Sequence, residues 1–144
     1  MTKKNYRIFE RVRVAVLITF ISGFFFFFTF VTQGKRFAGL QTGNFIYLMK
    51  SLAEGNLTGA SNYLLPISAF MLGAVFTYFA RKFAVQNKHL RWHALAGLII
   101  FIGVLITAAM AQFVASKWTV LSLSFIAAVQ LESFKRMRGV PYTN

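Results

Sequence analysis

The chain has 144 residues, of which 57% are hydrophobic and only 13% charged, with a mean hydropathy of +0.59. An average soluble domain is about 45–50% apolar and about 25% charged, so composition alone excludes an ordinary soluble fold. Sixteen Lys and Arg face three acidic residues (Glu10, Glu54, Glu132) for a formal charge of +13, and the absence of cysteine removes disulfide and thiolate-metal chemistry.

The basic residues lie between long apolar runs. That is the topology signal of a membrane protein, with the lipid bilayer as its partner. A nucleic-acid surface would instead cluster its bases on a soluble face beside exposed aromatics, and none is expected here. Residues 1–13 carry Lys3, Lys4, Arg7, Arg11 and Arg13. Val14 to Val31 then runs without a charge, long enough to cross a hydrocarbon core of about 30 Å. No small-x-small site closes this run, so it predicts an uncleaved first span rather than a signal peptide. Ser22-Gly23 inside it permits close helix approach or a bend; a glycine tolerated in a lipid-facing helix is the plainer reading. Five consecutive phenylalanines, Phe24 to Phe28, follow.

Thr32 to Gln41 predicts a loop, with Gly34 and Gly39 breaking helix and Lys35-Arg36 adding charge. Thr42-Gly43-Asn44 opens a second apolar run, in which Thr42 or Asn44 can cap a helix. A helix over 44–53 spans only about 15 Å. It is a half-helix, lying in the interface or dipping into the membrane. Two readings stand for its start. One is an ordinary capped helix. The other is a substrate site, because a half-helix N-terminus at membrane depth offers free N–H groups to a polar solute, as in transporters with broken helices.

Glu54 to Ala60 predicts a turn, and its Asn56-Leu57-Thr58 fits the glycosylation tripeptide, which means nothing outside a secretory context. Ser61 to Ala80 is the second span, with Pro66 near its start. Ala69 and Gly73 form a small-xxx-small packing face, and Tyr63 and Tyr78 mark the two ends. Residues 81–93 predict a basic loop. His89 and His93, four apart, would share a helix face, but no further ligand lies nearby and no metal is expected. Ala94 to Ala115 is the third span, with Gly97, Gly103, Ala108 and Ala111 as packing residues and Gln112 as a helix–helix hydrogen bond. Ser116-Lys117 makes a short connection, so the third and fourth spans pair as an antiparallel hairpin. The fourth span covers 118–134. Gln130 and Glu132 lie late in it. Glu132 either pairs with Lys135 or Arg136 or is a functional intramembrane carboxylate.

The spans, about 14–31, 61–80, 94–115 and 118–134, put twelve Lys and Arg on one side and four (Lys35, Arg36, Lys50, Lys117) on the other. The positive-inside rule then sets both termini in the cytoplasm. Gly34 and Gly139 both follow an apolar span, 105 residues apart, and at the same offset Phe37 meets Tyr142. A unit of three membrane elements followed by an inverted copy is a transporter plan. Here only the first element of the copy is present. The expectation is one all-α domain over 1–144: a polytopic membrane bundle of about four spans plus a half-helix, with a partial inverted repeat.

RVAVLITFISGF, TFVTQGKRFAGLQTGNFIYL, YLLPISAFMLGA, RWH and QLESFKRMRGVPYTN together resemble the YoaK-like family of bacterial integral membrane proteins of unknown function. The resemblance implies a bundle of about six membrane helices in the bacterial plasma membrane, loosely described as permease-like. It also implies a second T-G-N and two more spans after the Tyr142 region, so this chain looks like the first two-thirds of a member. Family members usually carry an Asp-Ala pair where this chain has Phe26-Phe27. Gln41, Thr42, Gly43 and Asn44 keep the pattern. With Gln130 and Glu132 they are the candidate substrate-binding residues. The expected activity is small-molecule transport; the alternative is a non-transporting protein or fragment that packs with itself or a partner. The chain has no Asp and no Ser–His or paired-carboxylate spacing, so neither an enzyme nor a cofactor is expected.

Overall fold

A computed structural model describes residues 11–86, 91–137 and 140–141. Five helices follow in order: α1 (Val12–Thr32), α2 (Gln41–Ala53), α3 (Leu57–Gln86), α4 (Trp92–Met110) and α5 (Ser116–Ser133). The chain is all-α apart from a two-residue antiparallel pairing, β1 (Arg136–Met137) with β2 (Val140–Pro141). By length and composition α1, α3 and α4 are each apolar enough to cross a membrane. The fourth expected span, α5, is not among them. It keeps Ser, Thr and Gln because it is the helix most enclosed by the others: nine of its 18 residues are buried. A helix covered by protein does not need a lipid-compatible surface.

α3 and α5 form the central contact, and α4 covers α5 from another side. Their closeness has a local cause. Ala69, Gly73 and Thr77 recur every four residues on α3 and are all buried. A Cβ at Gly73 would lie 2.6 Å from the Phe125 carbonyl oxygen and 2.9 Å from Ala128 Cβ, so only glycine lets the backbones meet there. This is the packing face expected at Ala69 and Gly73. On α4, Gly103 receives the Ile126 side chain, whereas a Cβ at Gly97 would meet nothing within 4 Å. At one end of the bundle Trp92, Ala84 and Ala96 pack with Phe134. α1 touches α5 sparsely, and most of its phenylalanines are exposed.

Several boundaries differ from expectation. α3 begins at Leu57 because the Gly59 N–H donates to Asn56 Oδ1 at 2.8 Å, the geometry of a helix cap. The Asn56-Leu57-Thr58 tripeptide is therefore a cap. Pro66 lies well inside this longer helix and is buried. α4 ends at Met110, so the turn to α5 is residues 111–115 rather than Ser116-Lys117, and Gln112 is exposed in that turn. Gly23 is exposed and makes no close approach; its neighbour Ser22 makes the contact instead. His89, Gly139 and Tyr142 lie outside the described residues, and with the last two go the repeat positions matched to Gly34 and Phe37.

Candidate functional site

α1 ends at Thr32, and the chain then turns back along it. Gly34 and Lys35 make the turn with φ of 68° and 59°, in the left-handed region. The returning segment descends beside α1 in register. The Phe37 ring stacks on Phe30 at 4.7 Å. The Ala38 N–H donates to Thr29 Oγ1 at 3.1 Å. Gly39 lies against the Phe26 ring so closely that a Cβ would collide with it. Phe26 is six residues before the end of α1, so α2 starts about 9 Å inside the bundle. It then runs 13 residues outward along α3, with Tyr47 stacked on Tyr63 at 5.3 Å. α2 is three residues longer at its start than the helix expected over 44–53.

Asn44 holds this geometry and is fully buried. Its Oδ1 accepts the Phe37 N–H at 2.9 Å. Its Nδ2 donates to the Phe37 carbonyl at 2.7 Å and to Gln41 Oε1 at 3.0 Å. Gln41 Nε2 donates in turn to the Ala38 carbonyl at 2.9 Å. Neither Thr42 nor Asn44 caps the helix; the N-cap position is Leu40, without a side-chain cap bond. A descending loop has no helix or sheet to satisfy its backbone, and Asn44 and Thr29 do so instead. At the loop's top, Arg36 Nε donates to the Gln33 carbonyl at 2.7 Å and Nη2 to Ser116 Oγ at 3.0 Å. Burial pushes the Arg36 guanidinium below its ordinary pKa, against a smaller opposing influence from Tyr63; it stays a cation at neutral pH.

Below the loop is a cavity of about 390 Å³. Its wall comes from α1 (Ile18, Thr19, Ser22, Gly23, Phe26), the loop (Gly39, Leu40), Phe70 of α3, the second half of α5 (Ala127, Gln130, Leu131) and Phe134 just after it. Gln130 is 5% exposed, and its Nε2 donates to Ser22 Oγ at 2.9 Å and to the Ile18 carbonyl at 3.2 Å. This links helices more than 100 residues apart. With Arg36 on Ser116 at one end and Gln130 on Ser22 further in, α1 and α5 run antiparallel.

The predicted residues therefore separate. Gln130 lines the cavity. Gln41, Gly43 and Asn44 build the loop that roofs it; a Cβ at Gly43 would lie 2.7 Å from the Phe37 ring. Thr42 is exposed, away from this network. Glu132 points elsewhere and pairs with Lys135 at 2.7 Å, the plainer of its two readings. Ser22, Thr29 and Gly39 complete the site, and no sequence motif marks them as site residues. The one sequence signal was a lone threonine ending a run of phenylalanines, where a hydroxyl needs a partner. Among the described residues no group of three or more His, Asp or Glu is placed to hold a metal ion.

Three helices of lipid-spanning length and a short helix packed along α3 define a polytopic α-helical membrane bundle. Residues 14–144 match the model of a family described as a protein of unknown function, DUF1275. The chain belongs to that family, the same one whose YoaK-like motifs it carries. No curated protein and no solved structure matches it.

Proposed function

We propose that the protein is a permease-like carrier for a small molecule, with its binding site in the cavity beneath the start of α2. The observation that supports this reading is the cavity's position. It lies inside the bundle, where a discontinuous helix begins and two antiparallel helices meet through Gln130 and Ser22. Transporters bind solutes at such breaks. Its volume falls in the range of small-molecule sites, about 300–1,000 Å³. In this reading Gln130 contacts the solute, and Gln41, Gly43 and Asn44 fix the roof. The charge pattern supports a plasma-membrane protein with both termini cytoplasmic. Flux of a panel of small solutes into proteoliposomes tests it. Gln130→Leu should slow the transported solute severalfold, while Ser68→Ala, on the exposed face of α3, leaves it unchanged. Equal flux for wild type and Gln130→Leu overturns the proposal.

A second reading has its own observation. α1 presents Phe20, Phe24 and Phe27, each more than half exposed, and is held to the other helices only sparsely. That face fits a second copy of the chain. The chain has no cysteine, so Phe27→Cys gives a single crosslinking site in native membranes. A strictly monomeric product removes this reading.

A further inference from the structure

We infer that the cavity's ligand is an uncharged small molecule with an apolar body and a single hydrogen-bonding head, entering sideways from the lipid; this rests on reading the cavity as a binding site. Three observations lead there. First, none of the residues lining the cavity is ionisable, and Phe26, Phe70 and Phe134 make much of its wall. A charged ligand would have no counter-charge and would lose its hydration, a large penalty at membrane depth. Second, the uncommitted polar groups on the wall are few. Gln130 spends both amide protons on Ser22 and Ile18, while its Oε1 accepts nothing from the described residues. The Gly39 and Leu40 N–H groups likewise donate to no described acceptor. That is room for one head group bearing a hydroxyl or carbonyl, not for a polyol. Third, Thr19, Gly23 and Leu40 line the cavity and are also exposed on the flank of the bundle, where α1 stands away from its neighbours. The mouth therefore faces the acyl chains, which admit neutral solutes and reject ions.

The test is photolabelling of the full chain in vesicles with three matched probes: benzophenone, 4-carboxybenzophenone and 4-(aminomethyl)benzophenone. Adducts are mapped by peptide mass spectrometry. Labelling at Ile18 and Leu131, in the cavity, is divided by labelling at lipid-facing Leu98, which corrects for partitioning. Benzophenone should be enriched in the cavity and the two ions should not. With 4-(hydroxymethyl)benzophenone as a further neutral probe, whose hydroxyl can donate to Gln130 Oε1, Gln130→Leu should lower the enrichment about fivefold, as expected for one neutral hydrogen bond. Excess p-cresol should displace benzophenone from the unmutated protein and benzoate should not, which keeps the test valid if the variant fails to fold. Cavity enrichment of either ion equal to that of benzophenone overturns the ligand class but leaves the binding site standing. Enrichment of none of the three overturns both.

Discussion

Asn44→Ala should release the loop that roofs the cavity. The substitution removes all three hydrogen bonds of a fully buried side chain and leaves the Phe37 N–H and carbonyl without partners. A buried backbone group left unpaired costs about 1–3 kcal/mol, so two cost about 2–6 kcal/mol. Water reaching the released loop from its turn, where Gly34 and Lys35 are exposed, re-solvates part of this, which favours the lower end. About 2 kcal/mol is roughly a thirtyfold shift towards the open loop, at about 1.4 kcal/mol per tenfold. Limited trypsin digestion reads it directly, because Lys35 and Arg36 sit at the loop's turn and Arg36 is half-buried in wild type. Cleavage there should accelerate by an order of magnitude or more, while cleavage after exposed Arg81 or Lys82 keeps its rate. Thr42→Ala, two residues away but exposed, should behave as wild type. Equal loop cleavage in Asn44→Ala and wild type would refute the reasoning that a side chain anchors this segment.

The remaining expectations concern packing and charge. Gly39→Ala collides with the Phe26 ring and should lower thermal stability in detergent by about 1–3 kcal/mol; the double variant with Phe26→Ala should recover most of it, and additive losses would disprove the contact. Gly73→Ala should be worse than Gly103→Ala, because the first meets the Phe125 backbone and the second only the movable end of Ile126. Gly97→Ala, with open space around it, should match wild type in the same melt. Glu132→Gln breaks a half-exposed pair with Lys135 and should cost under about 1 kcal/mol; a larger loss in chemical denaturation would give that carboxylate a role beyond this pair.

Periodicity and composition carried most of the fold. Apolar runs bounded by charge mark α1, α3 and α4, and the Ala69–Gly73 spacing marks a packing face without saying that α5 fills it. Boundaries were less legible, because they depend on single side chains: Asn56 as a cap begins α3 early, and nothing in an apolar run marks the unwinding after Met110. The site was half visible. T-G-N pointed to the short helix α2, but capping chemistry suggested the wrong role for Asn44, which bonds backward to the loop backbone seven residues away rather than capping its own helix. Ser22-Gly23 signals a close approach, but the partners of Ser22 and Gly39 are out of reach for another reason. Their contacts cross the chain, to Gln130 and Phe26, and no local pattern announces them.

The enclosure of α5 bears on how the chain enters the bilayer. Lys117, Gln130 and Glu132 leave this helix too polar to partition by itself; an ionic group at a helix centre costs about 2.5–3.5 kcal/mol on translocon scales, less near the ends. α1, α3 and α4 are each apolar enough to leave the translocon alone. α5 gains its place only after the small-residue groove of α3 exists to receive it. Insertion is thus ordered by the grammar of translation: the helices that need only lipid are made first, and the helix that needs protein around it follows them.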